Sequence, residues 1–266
     1  KIVTPGSVNF YIESPKEVKA GEVQKIKFVC ENNTRLILSN AQIKIKLPNN
    51  VYDNEFNNNP VIILGDIASK EKIEKEIDIS FFGITGDKLK VESSFEYKPQ
   101  GFSSIFKKDQ TFNVLINGSV FNLNITNPNQ VLPENEFDMN LMWNNQSQQD
   151  YENLVIKMNY PAEFNFNSSD QEAIRENNIF NLGYVRKSEQ GSIKLSGTMN
   201  SQGGENKKFE ALIGIDLKDK NEFLVINKIE SVVSLVSNPL SLGLFVNERN
   251  SYSASIGETL NILVHY

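Results

Sequence analysis

The sequence predicts an all-β protein made of tandem immunoglobulin-like antiparallel β-sandwich domains. Apolar and polar residues alternate with a period of two along most of the chain, which is the pattern of half-buried strands. A set of anchor residues recurs at a constant spacing, as expected when one structural unit is repeated. The strand-like segments are short and separated by polar turns, which is typical of a sandwich of two sheets.

Seven strands are predicted for the first unit and one helical stretch for the second. The strands cover residues 8–12, 23–30, 41–47, 61–64, 73–81, 88–97 and 110–116. That number of short strands in one unit fits an immunoglobulin-like sandwich, whose two sheets bury their inward faces against each other. Residues 169–176 hold a serine followed by helix-forming residues, which predicts one or two helical turns capped by Ser169.

The repeat is defined by residues that recur at one offset. Val18 and Val131 are 113 residues apart, and so are Pro48 and Pro161 (131 − 18 = 161 − 48 = 113). Further on, the Leu-Gly-Asp-Ile segment at 64–67 is answered by Leu-Gly-Tyr-Val at 182–185, five residues later than the offset predicts (182 − 64 = 118). An insertion of that size is expected in a loop.

A third copy of the repeat begins near the end of the chain. Leu240, Leu242, Leu244 and Val246 precede an Ile-Gly-Glu turn at 256–258. We therefore predict domains at 7–117 and 118–236 and the first strands of an incomplete third repeat at 237–266, joined by short linkers at 117–119 and 237–239. Because a few strands cannot bury their own apolar face, we expect the natural protein to continue. The tail is expected to pack on the second domain, to pair with another chain, or to be disordered.

The repeated segment resembles the immunoglobulin-like repeats of bacterial and archaeal surface proteins of the DUF11 and CARDB type. The residues that carry the resemblance are Val18, Gly21, Glu22, Asn32, Asn33, Leu47 and Pro48. The second unit departs from the pattern, with Glu134-Asn135 in place of Gly-Glu, and the third restores it. The resemblance implies an extracellular stalk or adhesive role and supplies no functional residues.

Composition and charge disfavour several classes of function. The net charge of −6 and the pI near 5.1 argue against a nucleic-acid partner. The strand lysines Lys25, Lys27, Lys44 and Lys46 alternate with apolar residues and are predicted to lie on solvated sheet faces. The single cysteine, Cys30, follows Ile26 and Phe28 in the alternation and is predicted to be a buried core residue.

No catalytic, cofactor-binding or metal-binding residue is predicted, and the chain is expected not to be an enzyme. The single histidine, His265, falls on the outward side of a predicted strand. Two carboxylate pairs, Glu74 with Glu76 and Glu134 with Glu136, are interpreted as solvated faces because no aromatic platform for a sugar accompanies them. The single tryptophan, Trp143, is in phase with the core residues of its strand.

Calcium is the one cofactor that the sequence leaves open, since oxygen-rich loops bind it. The candidate ligands are Asp53, Asn54, Glu55 and Asn57 in the first unit and Asn165, Asn167 and Asp170 in the second. Asn-x-Ser/Thr sequons begin at Asn32, Asn117, Asn124, Asn145 and Asn167. In a chain so rich in asparagine, that number is expected by chance and does not indicate glycosylation.

Two functions remain as hypotheses. The first is a non-catalytic structural spacer or stalk of tandem modules on a cell surface. The second is an adhesin or subunit-contact module that binds a protein or glycan through loops or a sheet edge, motivated by three apolar residues at a predicted hairpin tip, Phe102, Ile105 and Phe106. These residues form either an exposed contact patch or a segment that folds back on the junction with the second domain.

The expected location is extracellular, at the cell surface. Residues 1–6 show no signal-peptide pattern and no apolar run is long enough to cross a bilayer, so membrane attachment is expected only through an anchor outside this chain. The expected partners are other surface-protein domains, copies of the chain itself, or a protein or glycan ligand.

Overall fold

A computed structural model describes residues 8–201, 203–217, 220, 222–236 and 243–265, all of whose regular elements are β-strands. Within these residues no helix is long and apolar enough to cross a membrane. The predicted linker at 237–239 and the third-repeat residues Leu240 and Leu242 lie outside the described residues.

The first sandwich consists of nine strands in two sheets. One sheet has the order β1-β3-β7-β5 and the other β2-β9-β8-β4-β6. All neighbours are antiparallel except β2, which pairs with β9 in parallel. The strands are β1 (Val8–Glu13), β2 (Glu17–Ala20), β3 (Val23–Asn32), β4 (Leu38–Lys46), β5 (Val51–Asp53), β6 (Val61–Ile67), β7 (Lys72–Phe81), β8 (Lys88–Pro99) and β9 (Phe106–Ser119).

The order of these sheets is that of an immunoglobulin-like sandwich. The four-stranded sheet matches the A-B-E-D order, and β9, β8, β4 and β6 match G-F-C-C′. The connectivity differs in one place, because the chain visits β5 at the D position before β6 at the C′ position. The predicted all-β class and immunoglobulin-like β-sandwich are therefore confirmed, with this exchange of the two edge strands.

The second sandwich has the same strand order with one addition. Its sheets are β10-β12-β17-β14 and β11-β19-β18-β13-β16-β15, and β11 again pairs in parallel with the last strand. The strands are β10 (Phe121–Thr126), β11 (Gln130–Val131), β12 (Glu136–Asn145), β13 (Tyr151–Asn159), β14 (Phe164–Ser169), β15 (Ala173–Arg175), β16 (Ile179–Val185), β17 (Gln190–Met199), β18 (Asn206–Leu217) and β19 (Glu222–Leu235).

The additional strand β15 corrects two predictions. The helix predicted at 169–176 is absent, because Ser169 ends β14 and residues 173–175 pair with β16. Glu176 and Asn177 have positive φ angles of 49° and 55°, which a helix does not allow. The five additional residues of the second unit, expected in a loop, fall in the segment that supplies this edge strand.

The cores follow the predicted alternation. Cys30 is 1% exposed, and burial raises the pKa of its thiol to about 12, so its predicted place in the core is confirmed. Trp143 is buried with Phe137, Met139 and Leu141, as its phase predicted. Its ring covers the opposite glycine, Gly191, where a Cβ atom would lie 2.6 Å from Trp143 Cζ2.

Two of the sequons are parts of a buried polar anchor. Asn32 and Asn145, 113 residues apart, are 1% and 0% exposed. The Asn32 amide donates to the carbonyls of Leu36 and Ala68 at 2.8 and 2.9 Å, and its oxygen accepts from Thr34 Oγ1 at 2.7 Å. Asn145 and Ser147 form the matching bond at 2.8 Å. These two sequons therefore hold loops in place instead of presenting an asparagine to solvent.

A separate hairpin ends the described chain. Strands β20 (Gly243–Val246) and β21 (Ile262–His265) pair with each other in a two-stranded sheet. All four residues of β21 are exposed, and Ile262 is 62% exposed. The three possibilities for the tail stay open, but these apolar side chains are not buried against the second sandwich.

Candidate functional site: the junction and the hairpin at the opposite end

The two sandwiches are joined by a single residue, Val120. Residues 117–119, predicted as a linker, are the last residues of β9, and the chain enters β10 at Phe121. Val120 is 2% exposed, its N–H donates to Ala20 O at 3.2 Å, and its carbonyl accepts from Gln146 N at 2.8 Å. The linker prediction is therefore wrong: the connection is buried and hydrogen-bonded on both sides.

A glycine makes close contact possible at this junction. Gly21 has a φ of +85°, and a Cβ atom there would lie 2.9 Å from Val120 Cγ2 and 3.1 Å from Ile226 Cγ2. Its carbonyl accepts a hydrogen bond from Tyr151 Oη at 2.9 Å. Glu134, 113 residues later, keeps the left-handed conformation with a φ of 63°. The departure of the second unit from the Gly-Glu pattern thus changes the side chain and not the turn.

The hairpin between β18 and β19 completes the junction. Tyr52 Oη donates to a Glu222 carboxylate oxygen at 2.6 Å, and Gly83 N donates to Val225 O at 2.7 Å. Lys220 Nζ lies 5.1 Å from the centre of the Tyr52 ring and donates to Phe56 O. Burial, together with the Glu222 carboxylate, raises the pKa of Tyr52 to about 12, so the phenol stays a hydrogen-bond donor at neutral pH.

The junction connects opposite ends of the two sandwiches. In the first, it is formed where β2 and β7 end, near Gly21 and Gly83. In the second, it is formed where β10 and β13 begin, at Phe121 and Tyr151, and at the start of β19. The contacts therefore place the sandwiches end to end.

The predicted contact patch lies at the other end of the first sandwich. Phe102 is 37% exposed and Ile105 is 69% exposed, whereas Phe106 starts β9 and stacks on Tyr97 with ring centres 6.0 Å apart. The 12-residue strand β8 separates this hairpin from the junction, which is about 36 Å at 3.3 Å per residue. The alternative that the patch folds back on the junction is therefore wrong.

The candidate calcium loops are organised by their own hydrogen bonds. Asp53 Oδ1 accepts the N–H groups of Glu55 and Asn57 at 3.0 and 2.8 Å. Asp170 Oδ1 accepts from Lys194 N at 2.8 Å, and Asn167 donates to Glu136 at 3.1 Å. In the described part of the chain, no group of three or more His, Cys, Asp or Glu residues is placed to hold a metal ion. Calcium binding stays a prediction.

The candidate catalytic groups lie apart on solvated faces. Glu74, Glu76, Glu134 and Glu136 are exposed, and His265 lies on the exposed strand β21. Hydrogen bonds from Lys27 at 2.6 Å and Lys72 at 2.7 Å lower the pKa of Glu74 to about 2, which is unsuited to a general acid at neutral pH. That the chain is not an enzyme stays a prediction.

No protein-family model and no curated protein sequence matches the chain. Similar solved structures include a red sea bream transglutaminase (11% identity, TM-score 0.38) and a Salmonella alpha-2-macroglobulin reacted with methylamine (10%, 0.38). They cover 89% and 90% of this chain, which spans only 32% and 17% of theirs. A collagen adhesin from S. aureus has 11% identity and a TM-score of 0.30, covering 85% of this chain and 92% of its own.

These likenesses are too distant to assign a family. The resemblance to DUF11 and CARDB repeats stays a prediction, while the immunoglobulin-like sandwich that it implied is present in the sheets of the chain itself. The chain is therefore an all-β protein of immunoglobulin-like sandwiches.

Proposed function

We propose that the chain is a non-catalytic structural spacer: two repeated sandwiches, held in line on a cell surface, that keep another part of a larger protein at a distance. The observation that carries the proposal is the junction. A single buried residue, Val120, connects the sandwiches, and hydrogen bonds from Tyr151 and Tyr52 cross between them. A spacer needs resistance to bending, which a short, buried connection provides.

The recurrence of the anchors supports the proposal that the units are tandem repeats. The bulge that pairs Ala41 with Gly65 returns as the pairing of Leu154 with Gly183, and both glycines have positive φ. The cell-surface location follows from the resemblance to surface-protein repeats, with attachment through an anchor outside this chain.

We expect small-angle X-ray scattering of the chain to show a stiff, elongated particle. A compact chain of 266 residues would have a radius of gyration of about 18 Å. The end-to-end junction predicts a clearly larger radius with the profile of a rigid body, unchanged between excess chelator and millimolar calcium. A radius near the compact value, or the profile of two freely moving domains, would contradict the spacer. Stiffening by calcium would support the loop sites at Asp53 and Asp170 instead.

The second candidate function is a contact module that binds a partner through Phe102, Ile105 and Phe106. One observation favours it: in the second sandwich, the equivalent hairpin between β18 and β19 is the element that contacts the neighbouring sandwich. The hairpin between β8 and β9 holds the same place in the first sandwich, and its apolar tip is exposed.

We expect serine substitutions to separate contact from packing in this hairpin. Ile105→Ser should change the free energy of unfolding by less than about 0.5 kcal/mol, because the side chain is largely in solvent. Phe106→Ser should cost about 2 kcal/mol, because it removes the ring that stacks on Tyr97. Urea unfolding measures both. If Ile105→Ser is as destabilising as Phe106→Ser, the hairpin is structural and the contact function fails.

A further inference from the structure

The first sandwich leaves one sheet edge open where the second closes it. Strand β6 is the last strand of its sheet, whereas the corresponding strand β16 is covered by β15. The two strands align at an offset of 118 through their bulge glycines (183 − 65), which makes Ile179 the counterpart of Val61 and Asn181 the counterpart of Ile63. The five additional residues of the second unit thus belong to the segment that covers this edge, and the first unit lacks them.

In the second sandwich, the backbone at these positions is occupied. Ile179 pairs with Arg175 of β15, and the Asn181 carbonyl accepts a hydrogen bond from the Gln171 side chain at 2.6 Å. In the first sandwich, β4 bonds the alternate residues of the segment, with Ile45 N donating to Pro60 O at 3.0 Å. By that alternation, Val61 and Ile63 direct their N–H and C=O groups outward. Within the described residues, no other backbone group bonds to these outward N–H and C=O groups.

The side chains at this edge are apolar and exposed. Val61 is 50% exposed and Ile63 is 69% exposed. The other long edge strands of the two sandwiches carry polar or hydrogen-bonding residues at their exposed positions: Asn9, Tyr11 and Glu13 on β1, Asn122, Asn124 and Thr126 on β10, and Asn165, Asn167 and Ser168 on β14. Proteins usually protect an edge with charged residues, proline or a covering strand. Between Pro60 and Gly65, strand β6 has none of these.

We propose that the β6 edge is an interaction site for a second copy of this chain, joined by antiparallel pairing of β6 with β6. Residues whose backbone N–H and C=O groups point away from β4 must lie opposite each other to form hydrogen bonds between the chains. A two-fold axis at Ile62 achieves this, because it pairs Val61 of each chain with Ile63 of the other. This arrangement forms the four missing hydrogen bonds and places all four exposed apolar side chains on one face. The paired segment, residues 61–63 of each chain, carries no charge.

The interface covers only a few residues of each chain, so a weak and concentration-dependent dimer is expected, of the size class of transient complexes. The inference goes beyond the spacer proposal and does not depend on it. A scattering result that contradicts the spacer would not bear on the proposal for the β6 edge. A chain that stays monomeric would not bear on the stiffness of the junction.

Sedimentation equilibrium between about 10 µM and 1 mM tests the proposal. The weight-average mass should rise from the 30.1 kDa of one chain towards twice that value. Ile63→Lys should keep the chain at the mass of one copy and leave its thermal unfolding unchanged, because the side chain is already in solvent. The matched control is Ile262→Lys, which changes an isoleucine of similar exposure on β21 of the terminal hairpin and should still associate.

Three results would overturn the proposal: a single-chain mass at 1 mM, equal association of the Ile63→Lys variant, or loss of association in Ile262→Lys alone. Amide hydrogen exchange followed by NMR gives a second readout of the register. The Val61 and Ile63 amides should exchange at least several-fold more slowly at 1 mM than at 10 µM, and unchanged rates would also contradict the pairing.

Discussion

Replacing Asn145 by aspartate should reduce the free energy of unfolding of the second sandwich by about 3–5 kcal/mol at pH 7. The substitution keeps the shape of the side chain but removes the amide donor. The Asn145 Nδ2 atom lies 2.9 Å from both Gln149 O and Arg186 O, so an oxygen in its place would face two carbonyls. The site is 0% exposed, and water cannot relieve the repulsion.

The loss should depend on pH in a defined direction. Burial against carbonyl oxygens raises the pKa of the new carboxyl group in the folded state above the usual value of about 3.9. The carboxyl group of the folded state therefore stays neutral, and able to donate one hydrogen bond, up to this raised pKa. Below about pH 4 it is neutral in the unfolded chain as well, so the deficit relative to the natural chain is smallest there. The deficit grows as the pH rises from the unfolded-state pKa to the folded-state pKa and is complete above the latter.

Urea unfolding at pH 7 and pH 4, followed by the fluorescence of the single tryptophan, measures both effects. Trp143 lies two residues from the substitution and is buried, so it reports on this sandwich. The control is Gln146→Glu, the same change from amide to carboxylate at the exposed neighbouring position, which should cost less than about 0.5 kcal/mol. Equal losses in the two variants would show that the buried amide has no anchoring role.

The sequence was sufficient to predict the fold class because alternation reports directly on burial. Each of the seven strands predicted for the first unit is present, and Val18 and Val131, the first anchors of the repeat, are both buried. Strands β2 and β5 were missed, since segments of four and three residues give too short a pattern. Strand β15 was mistaken for a helix because the edge position is specified by pairing with β16 and not by local propensity.

The contact surfaces were less predictable, because they depend on which ends of the units meet. The polar residues 117–119 have the composition of a linker, but pairing of Lys19 and Ala20 with Gly118 and Ser119 draws them into β9. Gly21 was recognised as part of a motif, while its closeness to Ile226 joins residues far apart in sequence. A usable signal did exist for the buried anchors: Asn-x-Thr at 32 and Asn-x-Ser at 145 recur at the repeat offset of 113 (145 − 32).

Val120→Asp should uncouple the two sandwiches. The substitution places a carboxylate where Val120 is 2% exposed and packs on Gly21, at an expected cost of about 3 kcal/mol to the junction. Because the inward faces of each sandwich are not changed, both should stay folded. Calorimetry should resolve separate unfolding transitions, and scattering should change from a rigid particle to two mobile domains.

The contrast with an exposed valine identifies the cause. Val232→Asp introduces the same charge on β19, where the side chain is 51% exposed, and should leave both the unfolding and the scattering profile unchanged. If Val120→Asp also leaves the particle rigid, then the hydrogen bonds that cross the junction, among them those of Tyr151, Tyr52 and Gly83, hold the sandwiches in line. The stiffness would then arise from the polar contacts across the junction, and the one-residue connection would limit only the distance between the units.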